Sequence, residues 1–183
     1  VAAIDDFKTR IRPVLMHEAA HSVVGHRLGL PTGDIQIELD EGGASGSSQV
    51  DLRMHFSDIE EIIEYLPKRC VMLYAGCIAQ SFDEQGYDET ACDFCSKSNG
   101  ANDEAKAREN LRLYCNISFG TDKNYDTRMR MAEDGWRDEA LRLVNLHKAE
   151  IDKLADALLG YVDKYDLSIT MTEADITALR GGP

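Results

Sequence analysis

Leu15-Met16-His17-Glu18-Ala19-Ala20-His21-Ser22-Val23-Val24 is the stretch on which the reading of this chain turns. Leu15, Ala19, Val23 and Leu28 recur at roughly helical spacing. Pro13 suits a first helical turn and Gly29-Leu30-Pro31 is a stop, so a helix is expected over about 7–28. On it His17 and His21, four residues apart, leave the same face one turn from each other. That spacing lets two imidazoles hold one zinc ion, and Glu18 between them can reach a water on the metal. The expected chemistry is peptide hydrolysis, with Zn2+ as cofactor, His17 and His21 as ligands and Glu18 as catalytic base.

Outward from this helix, Asp34-Ile35-Gln36-Ile37-Glu38-Leu39 alternates polar and apolar and predicts a strand. Residues 41–48, rich in glycine and serine, predict a flexible loop, and 49–54 alternate again as a possible return strand. Two helices are expected over 58–66 and 67–83, with Pro67 opening the second and Cys70, Val71, Leu73, Tyr74 and Ile78 on its buried side. Residues 86–100 are polar and read as partly loop. Asn102 or Asp103 opens a further helix, with acids in its first turn that suit the helix dipole. A turn at 120–124 precedes helices over 126–147 and 148–164. Thr172-Glu173-Ala174-Asp175 resembles a capping box before a short last helix. No internal repeat or domain boundary interrupts the chain. The expected fold is a single domain over 1–183, mainly α, with one small β-hairpin or short sheet beside the motif helix.

At 183 residues the chain can bury a real core. Its net charge of −13 argues against nucleic acid and against anionic membrane surfaces as partners. No apolar run approaches the length of a membrane span. The start, Val1-Ala2-Ala3-Ile4-Asp5-Asp6, lacks the basic region of a secretory signal, and without an initiator methionine it suggests a processed chain or an excised fragment. Five cysteines, an odd number, fit a reducing, cytoplasmic compartment. Cys92-Asp93-Phe94-Cys95 is a CxxC without a second one, and reads as free thiols with local packing roles.

A catalytic zinc normally takes a third protein ligand. A third histidine six residues after the second is ruled out, because that position is Arg27. His26 points about 140° away from His21 on a straight helix. A glutamate on a later helix is the other common arrangement, and Glu84, Glu89, Glu104 and Glu109 all qualify by spacing. For substrate, a strand edge can hold an extended peptide by main-chain hydrogen bonds, and Ile35, Gln36, Ile37, Glu38 and Leu39 are the natural candidates, with 49–53 as the alternative. An oxyanion donor is open among His26, His55, Tyr74 and Tyr87.

The run from Leu15 to Val24 resembles the motif helix of the FtsH-type zinc peptidases, the protease domains of membrane-bound AAA proteases. Tyr74-Ala75-Gly76-Cys77-Ile78-Ala79-Gln80 is similar to that family's second core helix, and Gly100-Ala101-Asn102-Asp103 to the segment whose aspartate is the third zinc ligand. The run 152–159, followed by 167–179, resembles its closing helices, so the likeness extends from about 9 to 180. The resemblance implies His17, His21 and Asp103 as zinc ligands and Glu18 as base. Glu104 stands as the alternative ligand, because the segment before Asp103 is one residue short of the family run. Ala20, Cys77 and Gln80 stand where the family has glycine, arginine and glutamate. The chain carries neither the family's ATPase domain nor its membrane anchor, which points to unfolded or flexible segments of a peptide or protein substrate, or to a separate ATPase partner. Ring assembly is implied, with monomer or dimer equally open. The rival expectations are a non-catalytic zinc-binding interaction module and a regulatory protease specific for one partner.

Overall fold

The computed structural model describes residues 2–50, 55–83, 85–120, 122–164 and 167–180. In chain order the elements are α1 (Ala2–Arg27), β1 (Thr32–Asp40), β2 (Gly43–Val50), α2 (Ile59–Gln80), β3 (Phe82–Asp83), β4 (Gly86–Tyr87), α3 (Glu89–Lys97), α4 (Ala101–Phe119), α5 (Tyr125–Leu146), α6 (Lys148–Gly160), β5 (Ser168–Met171) and α7 (Glu173–Arg180). The protein is mainly helical, with a three-stranded antiparallel sheet and a two-stranded one, as the sequence led us to expect. No helix among the described residues is long and apolar enough to cross a membrane.

The core forms around α1 and α2. Phe7, Ile11, Leu15, Ala19 and Val23 make the buried stripe of α1, and Ala20 and Val24 widen it. The helix starts earlier than expected, so Pro13 lies inside it rather than in its first turn. α2 begins amphipathic, capped by the Asp58 carboxylate accepting from the Glu61 amide at 3.0 Å. From Cys70 to Ala79 every residue is buried. This stretch packs between α1, α4 and α5, while α6 covers another side of α1. Each fully buried aliphatic side chain contributes roughly 1.5–3 kcal/mol of burial energy. That surrounding is why 58–66 and 67–83 are one helix and not two. Pro67 removes its own N–H at a half-buried position, and the helix runs through it into the fully buried stretch from Cys70 to Ala79.

The sheet corrects the expectation further. β1 is its middle strand, paired antiparallel to β2 on one side and to β5 on the other. Ile35, Ile37 and Leu39 face the core, and Gln36 and Glu38 face outward. The glycine- and serine-rich segment expected as a loop is β2, in register Leu39↔Ala44 and Ile37↔Gly46. The Asp40 carboxylate closes the turn between them by accepting from the Gly42 and Gly43 amides at 2.7 and 2.9 Å. Of the alternative strand 49–54, residues 49 and 50 end β2, and 51–54 lie outside the described residues. Residues 89–97, read as part of a loop, form α3, capped by Asp88 on the Thr90 and Ala91 amides. The capping box before α7 is present: the Asp175 amide donates to Thr172 Oγ1, and Thr172 donates back to the Asp175 carboxylate.

Candidate metal centre

His17, Glu18 and His21 are buried on the face of α1 that meets α2. Asp103, in the first turn of α4, reaches the same point. Its Oδ2 lies 3.2 Å from His17 Nε2 and 3.1 Å from His21 Nε2. The two imidazole rings stand edge to face, their centroids 4.7 Å apart. Each ring is oriented from behind. His21 Nδ1 is 2.8 Å from the Met72 carbonyl oxygen, which can only accept, so that nitrogen carries the proton. His17 Nδ1 is 3.1 Å from Gln80 Oε1. With Nδ1 donating backward, Nε2 of each ring is left with a lone pair facing Asp103, the tautomer a metal ligand needs.

Two ring nitrogens and a carboxylate oxygen that meet this closely call for a positive charge between them, a proton or a metal ion. The titration of the groups reflects it. Burial lowers the His17 pKa, but hydrogen bonds to Asp103 and Cys95 and the charges of Glu18 and Asp103 outweigh it and raise it to about 10. Burial alone would raise Asp103; the two histidines outweigh it and hold the carboxyl well below the usual range. Glu18 behaves oppositely: burial pushes its carboxyl upward, against the pull of the same histidines.

The packing leaves space for an ion. Gly76 of α2 forms the floor, and a Cβ there would stand 2.5 Å from His17 Nε2 and 2.6 Å from His21 Nε2. A methyl there would therefore crowd both ring nitrogens that face Asp103. Two imidazoles and one carboxylate are a donor set that zinc takes in catalytic sites. His17, His21 and Asp103 therefore fit the ion that the sequence motif implies.

Beside the centre lies a cleft of about 190 Å3 lined by Val14, His17, Glu18, Gln80, Asn99 and the β2 residues Ala44 to Gly46. β2 comes this close because Gly46 has no side chain: a Cβ there would meet Glu18 Cγ at 2.6 Å and Ile37 Cδ1 at 2.8 Å. A larger cavity, of about 720 Å3, lies at the other end of α1 around His26 and Arg180 and holds none of the metal-centre residues.

Several sequence candidates are elsewhere. Ile35 to Leu39 cannot offer a strand edge, because β1 is paired on both sides over Ile35–Glu38 and the Leu39 amide donates to the Leu167 carbonyl. The open edge adjoining the centre belongs to β2. Glu104 is taken up by Arg137, at 2.7 and 2.9 Å, and Glu89 and Glu109 are exposed. Glu84 lies outside the described residues. His55 lines a separate cavity, and the Tyr74 ring sits under the Arg137 guanidinium at 4.2 Å.

Gly76, Gly46 and the orienting role of Gln80 were not singled out from the sequence. Gln80 was visible only as a departure from a family pattern. The CxxC also pairs differently from its spacing. All five cysteines are free and buried, and Cys95 Sγ meets Cys77 Sγ at 2.7 Å. The contact with Cys77 holds the Cys95 thiol below the ordinary thiol range, helped by His17 against the effect of burial. No protein-family model matches this chain, and no curated protein matches it at a significant level.

Proposed function

We propose that this protein is a zinc metalloendopeptidase that cleaves unfolded or flexible protein segments. The observation that carries the reading is the convergence of His17 Nε2, His21 Nε2 and Asp103 Oδ2, with the buried Glu18 carboxylate alongside on the same helix. When bound, zinc supplies Lewis acidity, lowering the pKa of a water toward about 7 and polarising the scissile carbonyl. Glu18 is the base: it takes the proton of the attacking water and delivers it to the leaving amine. Its burial serves that task, since desolvation raises the carboxyl pKa and makes the carboxylate a stronger base. Gln80 and the Met72 carbonyl keep the two imidazoles aimed at the ion.

The substrate segment lies extended along the outer edge of β2, adding a strand by main-chain hydrogen bonds at the side where Ala44, Ser45 and Gly46 border the cleft. This mode requires an unpaired backbone, which is why flexible or unfolded segments are the substrate class. A folded protein would need a separate motor to present such a segment.

The test is zinc content and cleavage of casein, an unfolded protein, by wild type and Glu18→Gln. The variant is expected to keep its zinc and to lose about 100- to 10,000-fold in rate. Stoichiometric zinc with no cleavage of casein or of a broad peptide set by the wild-type protein would overturn the peptidase reading in favour of a zinc-binding interaction module. Cleavage that persists in Glu18→Gln would remove Glu18 as the base.

A further inference from the structure

A second cluster lies against the metal centre, on the opposite nitrogen of His17. Cys95 Sγ is 2.7 Å from Cys77 Sγ, 3.4 Å from Gln80 Oε1 and 4.0 Å from His17 Nδ1. The two thiols come from different helices, α2 and α3, and are 18 residues apart in the chain. A disulfide bond is about 2.05 Å long, so bonding needs a movement well under one ångström. Both sulfurs are packed by neighbouring residues. Cys77 Sγ packs on the Gly100 Cα so closely that a Cβ at Gly100 would overlap it, and Cys95 lies against His17 and Gln80.

The geometry points to Cys77 and Cys95 as an oxidative modification site: a reversible disulfide that clamps the segment carrying Asp103 onto the helix that floors the metal centre. The oxidant is a peroxide. One thiol sulfur attacks a peroxide oxygen and becomes a sulfenic acid as the O–O bond breaks and water leaves. The second thiol then displaces the hydroxyl as a second water, and the S–S bond forms. Two thiols and one hydrogen peroxide give one disulfide and two waters. A phosphine reverses it, taking up the oxygen of one water as both thiols return.

The clamp acts on the site through a short chain of contacts. The Gly100 amide donates to the Cys95 carbonyl at 2.9 Å, the Glu104 amide donates to the Gly100 carbonyl at 3.0 Å, and Asp103 lies between them in the first turn of α4. Cys77 sits on α2 beside Gly76 and one turn before Gln80. Oxidation therefore ties Asp103 to the floor of the site and lowers the ordering cost of holding an ion. The oxidised protein releases zinc more slowly than the reduced one. This last step rests on the metal-centre reading; the disulfide itself does not.

The experiment uses the full chain, with and without hydrogen peroxide, followed by thiol alkylation and cleavage before aspartates. That cleavage puts Cys95 on peptide 93–102, Cys92 on 88–92, and Cys77 with Cys70 on 58–82. The expected result is a link between 58–82 and 93–102 that a phosphine reverses and that Cys77→Ser and Cys95→Ser each abolish. If a variant does not fold, the wild-type map suffices once the linked peptide is fragmented to place the bond at Cys77 rather than Cys70. A link through 88–92 instead, or both thiols left alkylated, overturns the proposal. Zinc transfer to a chelator is expected to be about 10-fold slower after oxidation, the scale of changes behind a metal ligand. An unchanged rate with the disulfide formed removes the coupling to the site. A chain that binds no zinc but forms the link refutes the metal centre and leaves the disulfide standing.

Discussion

The two sides of the cleft are built from different materials. The floor is helix on helix: α1 brings His17, Glu18 and His21, and α2 meets them through Gly76, Gln80 and the Met72 carbonyl. The rim is the edge strand β2, whose Ala44-Ser45-Gly46 has almost no side chain to offer. Each side makes its closest approach at a glycine, yet the two glycines guard different things. A Cβ at Gly76 would run into the two imidazoles, and a Cβ at Gly46 would run into Glu18. On the proposed reading, holding a metal and using it would be separable functions of two surfaces.

Adding one methyl on each side tests that separation. Gly76→Ala is expected to have the largest effect, a fall in zinc affinity of about 100-fold, because the methyl pushes into both ligand imidazoles. Alanine is the better helix former by about 1 kcal/mol, so helix propensity does not oppose the change, and a thermal melt of the variant separates loss of the ion from general overpacking. Zinc titration checks it, and wild-type affinity in this variant would mean that the ion does not sit over α2. Gly46→Ala should keep zinc and lose about 100-fold in kcat/KM, since its methyl displaces the Glu18 carboxylate by a fraction of an ångström to an ångström. Loss of zinc in that variant would merge the two surfaces into one.

The comparison sharpens further within the sheet. Ile37→Ala removes a fully buried side chain and should cost about 2–5 kcal/mol in chemical denaturation, with the activity of the folded fraction near that of wild type. Gln36→Ala and Glu38→Ala, on the outward face of β1, should change stability by less than about 0.5 kcal/mol and leave KM for an unfolded substrate unaltered. A marked rise in KM from either would return substrate binding to β1.

β1 and β2 also explain what was readable. β1 alternates Ile35, Ile37 and Leu39 with polar residues because one face is buried, and that pattern survives in the amino-acid order. β2 has no such pattern. Its residues are small because backbone must pass within contact of Glu18, and small residues in series look like a loop. In the same way Pro67 reads as a helix start, and only the burial of Cys70 to Ala79 on every side explains why α2 runs through it. β5 is four residues long and gave no separate signal at all.

The order of residues by itself determined most of the helices, though not α3 or the continuity of α2, and the pair of histidines with their glutamate, because helical periodicity is a local property and four-residue spacing puts groups on one face wherever the helix lies. It narrowed the third donor to a few acids, and resemblance singled out Asp103. Only the tertiary structure decided that Asp103 meets both imidazoles while Glu104 goes to Arg137, and that β2 rather than β1 borders the cleft. It also brought Cys95 to Cys77 instead of to its neighbour in the CxxC. Those outcomes depend on how α2, α4 and the sheet dock on α1, and docking is set by the summed packing of residues far apart in the chain, which no short stretch encodes.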